Sequence, residues 1–496
     1  MKNLLLRSAL IAALLIFFCV AFPVAQAAPG DLDPAFAGFG SSGVVVETGL
    51  AMAIYFDDSL DMVVQPDGKI VTVSHKEANL VLFRYLSNGQ RDATFGNGGK
   101  VEIIPPTANL ALLPNAIAVQ SDGKIVVTGR TTVGSLPAYY TSDFLLVRLT
   151  AAGQLDSTFG QGGIVTTDFF GHRDSGEALL IQPDGKIVVC GIVNTDGDND
   201  DFGVARYRPD GSLDPSFSSD AKVNIGFGDT EYCYNLAVQS DGKLVLVGDK
   251  SGFPLFGLPY SDFAIARLTP NGSLDSTFDG DGKLSLSLGD RDEARDVALQ
   301  PDGKIVLLGG DFFENHKGHL ARLLPDGKLD GTFGSGGKLT IPNDRLLALA
   351  LQPDGKLLGL GYHESPDGDL KFALHRRLAN GSPDTTFNND GIALLDFGGQ
   401  DVGRALSLLP DGRILALGRS GLSKMILLQL WPDGTYDSGG QQIHRLNSVA
   451  PGAQISANSL TLQSDGYFLT DGRVAGTTSS QAIVTRFKPN GLPETP

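Results

Sequence analysis

The chain of 496 residues has only three cysteines, and one of them, Cys19, stands in an apolar N-terminal stretch. Cys190 and Cys233 take places held elsewhere by apolar residues, so they read as packed thiols, and a disulfide-stapled fold is excluded. Basic residues are scarce, with 39 Lys and Arg against 56 Asp and Glu and a net charge of -17. Nucleic acid and anionic membrane both require a basic footprint, so neither is expected as a partner. Beyond residue 27 no run approaches the ~18 apolar residues of a membrane helix, which argues against membrane insertion of the mature chain. Helical periodicity is missing throughout the repeated part. Also missing are a nucleophile elbow, a phosphate-cradling loop and a Cys/His ligand set; glycine-rich stretches such as Gly96-Asn97-Gly98-Gly99 precede no helix. Catalysis is therefore unsupported by any motif.

What is present begins with an address. Lys2 and Arg7 precede an apolar core from Ala9 to Val24, and Ala25-Gln26-Ala27 is a small-x-small cleavage site. A secretory signal peptide over residues 1–27 is expected, with Phe18 too bulky for a lipoprotein site at Cys19. The mature chain, residues 28–496, should be a single domain that is secreted or periplasmic, and a monomer.

A five-residue turn, Gln65-Pro66-Asp67-Gly68-Lys69, returns at Gln120, Gln182, Gln239, Gln300 and Gln352, then in altered form at Leu409 and Gln463, every 52 to 62 residues. Proline presets φ for a type I turn and Gly supplies the left-handed residue that closes a hairpin. Apolar runs flank each copy, as in strands buried on both faces. One full repeat predicts strands at Glu177 to Gln182, Lys186 to Ile192, Asp201 to Tyr207 and Ala221 to Ile225. Between the last two lies a second turn whose Asp-x-x-Phe core recurs as Asp92/Phe95, Asp156/Phe159, Asp214/Phe217, Asp275/Phe278, Asp330/Phe333 and Asp384/Phe387 and fails at Asp437, where Gly440 replaces the ring. Its Leu and Phe are expected to anchor neighbouring units. Four-stranded repeats of this length are the signature of propeller blades. The ends complement each other: Asp33 to Phe36 and Val44-Val45-Val46 copy the second turn and fourth strand, while Asn490 to Glu494 stop inside that turn. The expected fold is all-β, an eight-bladed propeller closed by the N-terminal strand, with seven blades as the alternative.

The Gln-Pro-Asp-Gly-Lys-Ile turn, the Asp-Phe-Ala-x-Ala-Arg strand from Asp262 to Arg267 and the Asn-Gly-Ser-Leu-Asp-Ser-Thr-Phe segment from Asn271 to Phe278 resemble the bacterial delta-60 repeat proteins. The resemblance covers the mature chain except Trp431 to Ser459, where the motifs are degraded. It implies a secreted β-propeller and specifies no chemistry.

Charges that recur in every repeat are building elements. Arg84, Arg148, Arg206, Arg267, Arg322, Arg376 and Arg486, with Gln429 in the odd copy, are expected to pair in bidentate fashion with turn carboxylates such as Asp214, and the turn lysines serve the same end. Repeats differ in the loops between second and third strands, which hold Tyr139 and Tyr140, then Phe253, Phe256 and Tyr260, then His316 and His319, then His363. Those loops are the candidate recognition rim, for a protein or glycan outside the cytoplasm. Asp174, Glu231, Asp292 and Asp401 follow a Gly in the loops entering the first strand, as strand caps or a ring of acids. Asp196, Asp198 and Asp200 alternate in a way that suits one Ca²⁺, the only cofactor the sequence suggests, although the sixth-position Gly and twelfth-position Glu of an EF-hand are lacking. A non-catalytic binding scaffold is the first reading; a polysaccharide hydrolase or lyase using the rim carboxylates is the alternative.

Overall fold

The computed structural model describes the strand at Val44–Leu50, residues 61–435 apart from short loop and turn stretches (134–140, 253–259 and 312–316 are the longest), and the strands from Gln454 to Phe487. Within these residues the repeated turn folds as its sequence dictates. The Gln120 amide donates to the Lys124 carbonyl at 2.8 Å and the Gly123 amide to the Gln120 carbonyl at 2.8 Å. The Asp122 carboxylate accepts the Lys124 amide at 3.1 Å, and Gly123 takes φ 82°, a left-handed value that a side chain would strain. Both backbone bonds recur at Gln182, Gln239, Gln300 and Gln352.

Each turn joins the first two strands of an antiparallel sheet. The repeat read above has its strands at Asp174–Ile181, Ile187–Asn194, Asp200–Tyr207 and Lys222–Ile225, paired in that order. Its first strand starts three residues before the expected Glu177, because Asp174, Ser175 and Gly176 already pair with Val193, Ile192 and Gly191. Seven sheets have four strands; one, made of Asp401–Leu408, Ile414–Ser420 and Lys424–Leu430, has three among the described residues. Val44–Leu50 pairs antiparallel with Ser480–Phe487, Val44 opposite Thr485, and so completes the sheet of the C-terminal strands. The expected leader over residues 1–27, the turn copy at Asp33 to Phe36 and most of the degraded segment, residues 436–453, lie outside the described residues. Among the described residues no helix is long and apolar enough to cross a membrane.

First strands of successive sheets lie against one another, whereas the short fourth strands of neighbours do not come so close. The sheets therefore fan outward from an axis with their first strands innermost, the arrangement of a β-propeller. The core is correspondingly divided into layers between sheets. Val188, Cys190, Phe202 and Val204 of one sheet meet Cys233, Leu246, Ala264 and Ala266 of the next, and both cysteines are free and buried, as expected.

Adjacent sheets are also joined by a polar latch. Arg206 Nε donates to Asp214 Oδ2 at 2.8 Å, its guanidinium lies 4.6 Å over the Phe217 ring, and Nη1 donates to the Pro270 carbonyl in the second turn of the following sheet. From that same turn the Asn271 carbonyl accepts the Ser218 amide at 2.6 Å, and a Cβ on Gly272 would come within 3.0 Å of the Phe217 ring. The set recurs at Arg84, Arg148, Arg267, Arg322 and Arg376. Two expectations are corrected in detail. The arginine does not fork across both carboxylate oxygens, since Asp214 Oδ1 accepts the Ser216 amide and hydroxyl instead, at 3.1 and 2.8 Å. The Leu is only partly an anchor: Phe217 is fully buried, whereas Leu213 and Leu329 are partly buried against the core and Leu155 and Leu274 remain 38% and 37% exposed.

Candidate functional site

The acids that enter each first strand are turned inward, beneath the rim. Asp174, Glu231, Asp292 and Asp401 are all completely buried. Each caps its own loop: the amide of Phe169 donates to Asp174 at 2.8 Å, Asp229 to Glu231 at 2.8 Å, Leu288 to Asp292 at 2.7 Å and Phe397 to Asp401 at 2.6 Å. The strand-cap alternative thus describes them, and a ring of exposed acids does not. Burial, against the opposing pull of those amides, pushes Asp174 up to about 7 and Glu231 up to about 8, and raises Asp401. Asp143 and Asp168, which the sequence did not single out, bring carboxylate oxygens within 4.8 Å of one another and of Asp174. Their charges add to its shift, and burial followed by Asp168 raises Asp143 as well.

The expected calcium loop is occupied with internal bonds at its two described acids. Asp196 accepts the Asn199 amide at 2.9 Å and its side-chain amide at 3.2 Å, while Asp200 is buried against Arg173 at 2.6 Å and Asn194 Nδ2 at 2.8 Å. Asp198 lies outside the described residues, as do Tyr139, Tyr140, Phe253, Phe256 and His316. His319 is not on the rim. It is fully buried, with Nε2 3.1 Å from Asp292 Oδ1 and Nδ1 3.1 Å from Thr340 Oγ1, so it supports a capping acid. Tyr260 donates to Asp229 Oδ2 at 2.6 Å, where Lys250 Nζ also approaches to 3.0 Å. His363 Nδ1 stands 2.8 Å from Asp344, which also lies 3.2 Å from the buried His375.

A feature that the sequence reading missed lies on the innermost strands. In seven sheets the first strand bulges at one place, where the strand register skips one residue: Asn115, Glu177, Tyr234, Arg295, Leu347, Arg404 or Asn458. Opposite every bulge stands a glycine, the fifth residue of the second strand: Gly129, Gly191, Gly248, Gly309, Gly361, Gly418 and Gly472. The bulge drives a carbonyl into the space of a side chain, so that a Cβ on Gly248, Gly309 or Gly361 would sit 1.8 Å from the carbonyl oxygen of Tyr232, Glu293 or Arg345. The sheet that starts at Asp61 has Ser74 at that place, and its first strand, Asp61–Val64, pairs in even register. A glycine at the fifth residue of the other seven second strands was the available signal.

A bulge re-aims one side chain per sheet. Here that side chain takes five types in seven sheets, Asn and Arg twice each, while the framework around it repeats. Its richest stretch spans two consecutive sheets. Tyr232 and Tyr234 stack with ring centroids 6.4 Å apart and planes at 23°, and the Arg295 guanidinium lies 4.2 Å over Tyr234. Arg295 is paired with Glu293. All four are only partly buried. Behind them Asp249, 3% exposed, accepts the Ser261 hydroxyl at 3.0 Å through Oδ2 and is also hydrogen-bonded to the Tyr234 side chain. Burial and then the Glu293 charge push Asp249 up to about 6, and burial followed by Asp249 raises Tyr234.

Six stretches of the chain, residues 65–95, 120–159, 182–217, 239–278, 300–333 and 352–387, match the model of a β-propeller domain of unknown function, DUF5122. No curated protein matches the sequence. Among solved structures, a catalytically inactive virginiamycin B lyase from Staphylococcus aureus with quinupristin is 10% identical, covering 89% of this chain and 98% of that one with a TM-score of 0.39. An α-L-arabinanase from Penicillium chrysogenum complexed with arabinobiose is 11% identical over 64% of this chain and 92% of its own, TM-score 0.40. A mutant α-L-arabinofuranosidase from Fusarium graminearum with an iminosugar inhibitor is 10% identical over 90% and 97%, TM-score 0.38.

Proposed function

We propose that this β-propeller repeat protein is a secreted, monomeric and non-catalytic binding scaffold, which engages an envelope protein or glycan through the loops of one rim. The observation that carries this reading is the fate of the repeated charges. Each latch arginine, each described turn lysine and each capping acid is engaged in building the ring. Recognition is left to what varies, the loops between second and third strands, on a scaffold rigid enough to display them. The reading includes eight blades: the first strand near Asp61 lies against the one that begins at Gln454, which supports a ring closed by the N-terminal strand.

The test is a binding screen of residues 28–496 against glycans and envelope proteins, with turnover measured on every hit. A ligand whose binding is lost in Tyr139→Ala/Tyr140→Ala at unchanged melting temperature supports the scaffold. Turnover that disappears in Asp174→Asn would instead favour the second reading, a polysaccharide hydrolase or lyase. That reading rests on Asp174, held near 7 beside Asp143 and Asp168, where a carboxyl group can exchange a proton near neutrality.

A further inference from the structure

We propose that the bulged inner strands form a second binding site, separate from the rim loops, which takes a neutral saccharide against Tyr232 and Tyr234. Three observations carry it. The bulge itself is a backbone device secured by a glycine opposite, and it places no demand on the identity of the bulged side chain. The scaffold therefore leaves the choice of side chain open for a ligand contact, and the position runs through Asn115, Glu177, Tyr234, Arg295, Leu347, Arg404 and Asn458. Secondly, the charges here are already neutralised in pairs, Arg295 with Glu293 and Arg173 with Asp200. A polyanion would meet the carboxylates and a cation the guanidinium groups; a polyhydroxylated ring offers donors to the first and acceptors to the second. Partly buried tyrosine rings beside them suit the C–H face of a sugar, the usual pairing of apolar lining with a few placed polar groups. Thirdly, the buried carboxylate of Asp249 stands directly behind the tyrosines and is hydrogen-bonded to the Tyr234 side chain, which fixes that ring in place as a platform.

The inference deepens the glycan branch of the reading above but locates the contact elsewhere, so the two are separable. Saturation-transfer NMR on residues 28–496 with cellohexaose, mannohexaose, xylohexaose and arabinohexaose, each at millimolar concentration, is the direct experiment. At least one of these is expected to receive magnetisation on its ring protons. The signal should persist in Tyr234→Phe, which keeps the ring, and titration should give affinity weaker by about tenfold or more in Tyr234→Ala. Equal affinity in Tyr234→Ala and the parent, or no transfer to any of the four sugars, overturns the inner site. Transfer lost only in Tyr139→Ala/Tyr140→Ala overturns it too, while leaving the rim reading intact. Melting curves on both Tyr234 variants separate loss of contact from loss of fold.

Discussion

Arg267 and Lys243 reach the same carboxylate oxygen of Asp275, at 2.8 and 3.3 Å, yet they should contribute very differently to stability. Arg267 is buried to 2% exposure, so Arg267→Ala strips Asp275 of its buried cation and the Pro325 carbonyl of a donor, and is expected to cost about 3–5 kcal/mol in denaturant titrations. The Lys243 side chain is 27% exposed, and Lys243→Ala should cost less than about 1 kcal/mol. The latch was legible because Arg, Asp and Phe recur at fixed offsets in six copies, and recurrence itself separates a building element from a ligand contact. The capping acids were half legible. Spacing after a glycine placed Asp174 and Asp292 at a strand entry, but whether such a carboxylate points to solvent or back into its own loop depends on the loop's backbone. Tyr232 and Tyr234 were not legible at all, since in an apolar first strand they read as ordinary strand residues.

At the level of the strand, the bulge makes a sharper demand than the turns do. Gly361→Ala places a methyl group 1.8 Å from the Arg345 carbonyl oxygen, and backbone on a paired strand cannot swing aside as a side chain can. Loss of about 1–3 kcal/mol or more is expected, seen as a lowered melting temperature. Gly331→Ala, whose Cβ would meet nothing within 4 Å, should stay within about 0.5 kcal/mol of the parent. If both variants melt alike, the glycine opposite the bulge has no structural role. The hairpins themselves could be read from sequence because Asp-Gly fixes a turn locally. A bulge is harder to read, because it is a mismatch between two strands: the recurring glycine lies on one and its consequence appears on the other.

For the molecule as a whole, two populations of acid set opposite slopes of stability with pH. Asp156, Asp275 and Asp384 feel burial, which raises them, but the neighbouring Thr hydroxyl and amide and then the latch arginine hold them at about 2. Their stabilisation is complete above the unfolded value near ~4 and lost as pH falls toward 2. Asp174, Glu231, Asp249 and Asp296 are raised by burial to about 7, 8, 6 and 6. Their contribution is complete below ~4 and disappears as pH rises through 6 to 8. Calorimetry should therefore find the highest melting temperature at about pH 4 to 5, and Asp174→Asn should flatten the decline toward pH 8. A melting temperature that climbs steadily from pH 5 to 8 would contradict the assignment. Deleting residues 28–50, the strand that pairs with Ser480–Phe487 included, should lower the melting temperature, because it strips the C-terminal sheet of a partner strand. That pairing also imposes an order in time. Every latch joins sheets whose residues lie some 60 positions apart, as Arg206 to Pro270 does at a separation of 64, so each sheet can dock on its predecessor soon after it emerges. Val44 opposite Thr485 is the exception, a contact that spans nearly the entire chain. Synthesis must be nearly finished before the first strand finds its neighbour, and closure should register in refolding experiments as the slowest phase, one that disappears when residues 28–50 are removed.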